Sequence, residues 1–174
     1  MPLKPIYLSD EQIIHIHDSL IEVYREELPP RRIEEGLNYR GTIETISYII
    51  SHDRTIDGSE WPNFLRRIAY LFFHLNRGHP FVDGNKRTTL LVTFYLLFWN
   101  GYRFEIPKDT DKILLAIANV ENKTVDEEIA YRWLVSNVRV TVSSLLLHFF
   151  LVFFFSVPRF FGFSRYDVLN RLLY

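Results

Sequence analysis

Apolar positions along the chain recur mostly at helical spacing, broken by short polar or proline-bearing stretches. In "SDEQIIHIHDSLIEVYREEL", Ile13, Ile16, Leu20 and Val23 fall on one helical face. Ser9 followed by Gln12 forms a capping box at its start, and Pro29-Pro30 ends it. A shorter amphipathic helix is expected from about Thr42, in "TIETISYIISHD". Asp57-Gly58 is turn chemistry, so residues 54–61 are expected to form a small hairpin or flap. Pro62 suits a first helical position, and "PNFLRRIAYLFFHLNRG" should run to Gly78 as its C-terminal glycine.

The segment "TTLLVTFYLLFWNG" is apolar on every side, which predicts a helix buried all round within a bundle and stopped by Gly101. Asp109 or Thr110 caps "DKILLAIANVEN", and Thr124 with Glu127 predicts a second capping box before "VDEEIAYRWLVSNV". No internal repeat or low-complexity linker interrupts the chain before about residue 137. The pattern describes an all-α domain over residues 1–137.

Residues 138–174 differ in kind. Residues 145–157, "LLLHFFLVFFFSV", are apolar except for His148 and Ser156, and Pro158 interrupts the run. A membrane-spanning helix needs ~20 apolar residues. Packing on the bundle or on a partner is therefore expected, and membrane contact of this C-terminal segment is not favoured. The change of composition is abrupt enough to leave open a non-native or frame-altered C-terminus. "SRYDVLNRLLY" carries a capping box, Ser164 with Asp167, and predicts a short helix.

With 174 residues, 48% of them hydrophobic, the chain can bury a real core. A formal net charge of −1 supplies no global basic field, so no nucleic-acid partner is expected. The absence of cysteine removes disulfides, thiolate chemistry and cysteine-ligated zinc, and fits a cytoplasmic setting. The start, "MPLKPIYLSDEQ", lacks the apolar region of a signal peptide, so secretion is not expected.

The most polar cluster, "HPFVDGNKRTT" at residues 79–89, stands between two apolar segments. A loop running straight into a helix presents unpaired N–H groups to an anion, reinforced by the macrodipole. Gly84 allows close backbone approach, and Lys86 and Arg87 add cations suited to phosphate oxygens. Asp83 makes sense beside phosphate if Mg²⁺ bridges the two. The imidazole of His79 can take a proton from an attacking hydroxyl. These parts describe phosphoryl or nucleotidyl transfer by positioning and electrostatics. A turn followed by an ordinary solvated helix cap accounts for each residue singly, but poorly for the consecutive run before a buried helix.

"HPFVDGNKRT" resembles the signature of the Fic/Doc (Fido) family, and its "NK" variant resembles the death-on-curing (Doc) branch. "LSDEQIIHIHDSLIEVY" is similar to the family's first helix, "RIEEGLNYRGTIETI" to a Doc segment before the second, and the likeness extends over roughly residues 6–137. It implies a compact all-α bundle with a small β-hairpin flap, with ATP as co-substrate and Mg²⁺ as cofactor. Carried over by position, His79 would deprotonate a target hydroxyl, Phe81 would anchor the loop and Asp83 would hold Mg²⁺. Gly84 and Asn85 would help form an anion hole, and Lys86 and Arg87 would bind the nucleotide phosphates.

AMP-transferring Fic proteins carry Gly where this chain has Lys86, and a second Arg where it has Leu90. The Doc branch shares the lysine and is associated with ATP bound γ-phosphate toward the base. The resemblance therefore implies a protein kinase toxin, with a translation elongation factor as the family's target and a separate antitoxin. AMP transfer is the alternative nearest to it, and a catalytically silent Fido binding module is another; a DNA-binding regulator fits poorly. Among other residues, His15 and His17 point to different sides of their helix and read as surface or partly buried. His74 reads as core packing, and Arg66 and Arg67 as a solvated face. Residues 31–36 approach an inhibitory pattern of Fic proteins, but Arg31 stands where Ser or Thr is required. Self-inhibition is therefore not expected.

Overall fold

Ser9 and Gln12 do exchange hydrogen bonds: Ser9 N–H donates to Gln12 Oε1 at 2.9 Å and Gln12 N–H to Ser9 Oγ at 3.3 Å. Helix α1, Asp10–Glu27, begins there. The computed structural model describes residues 5–27, 36–52, 64–119 and 124–140. The expected flap at 54–61, Pro62, the inhibitory-like residues 31–35 and the Phe-rich run at 145–157 lie outside the described residues. Next come α2, Arg40–His52, α3, Phe64–Arg77, and α4, Asn85–Trp99. Strand β1, Tyr102–Phe104, then α5, Thr110–Ala118, α6, Glu127–Ser136, and β2, Val138–Val140, complete the order. The described residues are mostly helical, with one small antiparallel sheet, which agrees with an all-α class.

That sheet joins β1 to β2, with Arg103 opposite Arg139 and Phe104 opposite Val138. The first residues after position 137 thus pair within the helical body.

The bundle is built around α4. None of its residues from Asn85 to Phe98 is exposed, as its all-round apolar pattern predicts. Helix α3 packs between α4 and the pair α2 and α6, while α1 lies against α4 and α2. Ile13, Ile43, Ile50, Phe64, Ile68, Leu71, Leu75, Val92 and Leu97 are each at 0% exposure in one continuous core. Each such side chain contributes roughly 1.5–3 kcal/mol by leaving water.

Three expectations are corrected. Arg66 and Arg67 do not form a solvated face. Arg66 pairs with Glu128 on α6 at 3.1 Å and lies over the Tyr131 ring, tying the two helices together. Arg67 is 5% exposed and donates to the carbonyl of Ile50 at 2.7 Å, satisfying the last turn of α2. Helix α6 is capped by Asp126 rather than Thr124, its carboxylate accepting from Ile129 N–H at 2.8 Å. Glu127, expected to complete a capping box, instead meets His74 Nε2 at 3.1 Å. His74 is consequently half-exposed at the α3–α6 boundary.

Candidate active site

The loop between α3 and α4 and the first turn of α4 hold every residue that the sequence marked for chemistry. It starts on an unusual backbone. Gly78 was expected to supply the left-handed residue that ends α3, yet the positive φ falls on His79, at 42°. Glycine is needed at 78 for another reason: a Cβ there would lie 2.8 Å from Thr42 Cγ2 and 2.9 Å from the His74 carbonyl. Left-handed geometry is costly for a residue with a Cβ, by roughly 1–2 kcal/mol, and surrounding bonds must hold it. Gly78 N–H donates to His74 O at 2.9 Å, and Pro80 O accepts from Asn38 N–H at 2.8 Å and Tyr39 N–H at 3.2 Å. The His79 side chain is exposed and makes no hydrogen bond to another described residue.

Beyond Pro80 the loop runs beside residues 36–39. Leu37 forms an antiparallel bridge with Phe81, and Val82 N–H donates to Gly36 O at 3.0 Å. Phe81 is 1% exposed and anchors the loop in the core, as the resemblance implied. Gly84 has φ +75° and is the N-cap of α4, so the chain enters the helix through a position that suits glycine.

This helix start has no side-chain cap. The first α4 residue whose N–H finds an acceptor is Thr88, bonded to Gly84 O at 2.8 Å. The N–H groups of Asn85, Lys86 and Arg87 have no acceptor among the described residues, so they and the positive helix end are open to an anion. Asn85 was expected in the anion hole. Its side chain is 8% exposed and donates to and accepts from the backbone of Phe81, so only its N–H is left for that purpose.

Asp83 Oδ1 accepts from Gly84 N–H at 2.5 Å and lies 3.5 Å from Arg87 Nη2. No described residue hydrogen-bonds Oδ2, which leaves a hard oxygen donor on a carboxylate that is 43% exposed. No group of three or more potential metal-binding side chains occurs among the described residues. One carboxylate without a protein cage suits Mg²⁺ that arrives with phosphate and keeps its waters. Lys86 is half-buried and forms no ion pair with a described residue, so its ammonium is free to meet phosphate.

Sequence reasoning missed His17. It is 2% exposed and lies stacked on Phe81, with Nε2 bonded to the carbonyl of Asp83 at 3.1 Å. Its spacing from Ile21 and Tyr24 on α1 was the available signal, because all three lie on one helical face. His15, by contrast, is exposed, as expected.

A left-handed histidine, an uncapped helix start with two cations and one free carboxylate oxygen come together where the loop enters α4. The family model described as Fic/DOC matches residues 7–97, from α1 through most of α4, and the chain belongs to that family. It is a Fido-domain protein, of a family that transfers AMP or phosphate-type groups to proteins, using ATP and typically Mg²⁺, often with antitoxin partners. No curated protein matches the chain. Among the described residues, no helix is long and apolar enough to cross a membrane.

Proposed function

We propose that the protein is a Doc-like toxin kinase that transfers the γ-phosphate of ATP to a hydroxyl side chain of a protein target, with a translation elongation factor as the candidate. His79 accepts the proton of the target hydroxyl, whose oxygen attacks the γ-phosphorus as the bond to the ADP oxygen breaks. Lys86, Arg87 and the open N–H groups from Asn85 to Arg87 hold the phosphate oxygens. Gly84, expected in the anion hole, has its own N–H bonded to Asp83 Oδ1 and its open side against Ile21, and serves to turn the chain into α4. Asp83 holds Mg²⁺, which when bound neutralises phosphate charge. A cognate antitoxin would restrain this activity in a cytoplasmic host.

One observation carries the reading: the α4 N-terminus is left without a cap while Lys86 and Arg87 flank it. An ordinary helix start there would use a Ser, Thr, Asp or Asn side chain to satisfy its N–H groups. Lysine rather than glycine at position 86, and Leu90 in place of a second arginine, favour phosphate over AMP transfer. The test is incubation of the chain with a host lysate and ATP labelled at either the α- or the γ-phosphate. Labelling from γ alone supports the kinase reading. Labelling from α makes the protein an AMP transferase, and no labelling from a folded chain makes it a silent Fido module.

A further inference from the structure

Three side chains of α1 meet the loop from one face of the helix. His17, Ile21 and Tyr24 stand at i, i+4 and i+7, a single stripe. The His17 ring lies flat on Phe81, with centroids 3.8 Å apart and planes 4° apart. Its Nε2 is 3.1 Å from the main-chain carbonyl of Asp83, which can only accept, so the ring donates that bond in the tautomer that carries its proton on Nε2. The Asp18 carboxylate lies 3.1 Å from Nδ1 on the other side of the ring. Ile21 closes over Gly84: a Cβ built there would be 3.1 Å from Ile21 Cδ1. Tyr24 places its ring under the guanidinium of Arg87, 4.2 Å from centroid to Cζ.

Covering a core requires none of these polar contacts. The two polar-tipped residues of the stripe reach Asp83 and Arg87, the residues assigned above to metal and phosphate. We propose that His17 and Tyr24 are positioning residues of the transfer site, His17 acting through Asp83 on the divalent cation and Tyr24 acting through Arg87 on the phosphates. This inference deepens the proposed function and rests on it.

The physical case is separate for each. The peptide that joins Asp83 to Gly84 enters a glycine, so little in the local backbone stops it from rotating. Its carbonyl is held by His17 and its N–H donates to Asp83 Oδ1 at 2.5 Å, so holding this peptide also steadies the Asp83 carboxylate. Arg87 has only a 3.5 Å contact with Asp83 on one side, and its side chain is 32% exposed. The Tyr24 face supplies the second restraint, narrowing the rotamers from which Arg87 must meet phosphate.

The two roles are separated by measuring binding of a non-hydrolysable ATP analogue to the full chain by calorimetry, once with Mg²⁺ and once in EDTA. The ratio of the two affinities isolates the contribution of the metal. His17→Phe keeps a ring on Phe81 but loses the donor. It should cut that ratio about tenfold, the scale of a lost outer partner of a metal ligand, with affinity in EDTA unchanged. His17→Gln restores an N–H at the position of Nε2 and should restore the ratio. Should His17→Phe fail to fold, His17→Asn, whose amide stops short of the carbonyl, takes its place with the same expectation. Tyr24→Leu should weaken binding about two- to fivefold with and without Mg²⁺ alike, leaving the ratio unchanged, and Tyr24→Phe should bind as the parent does.

An unchanged ratio in folded His17→Phe or His17→Asn overturns the role of His17. Parental affinity in Tyr24→Leu overturns that of Tyr24. A parent chain that binds no nucleotide, or binds it equally with and without Mg²⁺, instead removes the proposed function and this inference together.

Discussion

The side chain of Asn85 closes two hydrogen bonds with the backbone of a single residue, Phe81, whose N–H donates to Oδ1 at 2.9 Å and whose carbonyl accepts from Nδ2 at 2.7 Å. The first residue of α4 thereby ties back to the middle of the loop, and the residues between them become a closed ring.

Replacing Asn85 by Asp keeps the acceptor for Phe81 N–H but sets a second acceptor against the Phe81 carbonyl. The expected loss of stability is about 1–3 kcal/mol. Asn85→Ala leaves the buried Phe81 N–H without a partner and its carbonyl with only Asn38 Nδ2, at 3.2 Å, and should also lower stability. Urea unfolding of the three proteins measures both; an Asp variant as stable as the parent contradicts the ring.

His79 combines a proposed chemical role with an unfavourable backbone. His79→Ala should slow transfer by about 10²–10⁴-fold, the usual contribution of a positioned base. His79→Gly should be as slow, yet more stable than the alanine variant by about 1 kcal/mol, because glycine adopts a φ of 42° without steric cost. Labelling rates and denaturant midpoints read the two effects separately. A His79→Ala protein with the parent's rate removes the base assignment.

Lys86 tests nucleotide orientation. Lys86→Gly should open space at the start of α4 and move labelling from the γ- toward the α-phosphate. Adding Leu90→Arg should move it further, with some loss of stability because Leu90 is partly buried against the core. The ratio of α to γ label incorporated is the readout, and a ratio unmoved by both changes argues against lysine as the selector.

Chain ends chosen on either side of β2 should behave differently. A protein ending after Val140 keeps the strand that pairs with β1 and should retain transfer at the parent's rate. One ending after Asn137 loses the β2 ladder and the buried Val138, which is 8% exposed. It should be less stable than the longer truncation by about 1–3 kcal/mol. Thermal unfolding and a labelling assay on both chains decide this, and loss of transfer in the longer one would place the Phe-rich segment in the site.

The readable parts of the sequence were those that depend on near neighbours. Ser9 with Gln12 marked the start of α1, and the all-round apolar character of α4 announced its central place. The loop was legible because its residues are consecutive. What escaped depends on distant partners. The spacing of His17, Ile21 and Tyr24 puts them on one face of α1, but it does not show that this face meets Phe81 and Asp83, more than sixty residues on. Arg67 looked like a surface cation until the final carbonyls of α2 required a donor. Thr124 fitted a capping pattern, but Asp126 caps α6 and Glu127 meets His74 on another helix, a partner that local pattern cannot register. Gly78 was correctly marked as special for the wrong reason, since what it avoids is Thr42 on another helix.

Asn100, at the far end of α4, grips the backbone of Ile6 by both its groups: Ile6 N–H donates to Oδ1 at 2.7 Å and Nδ2 donates to Ile6 O at 2.8 Å. Since α4 has 15 residues, a rise of 1.5 Å each separates its two ends by about 22 Å. The beginning of the described chain is therefore moored at the end of α4 opposite the candidate site. A fluorophore or affinity handle joined ahead of Ile6 would start from that remote end, giving a place to tether the protein while the candidate site stays clear of the tether.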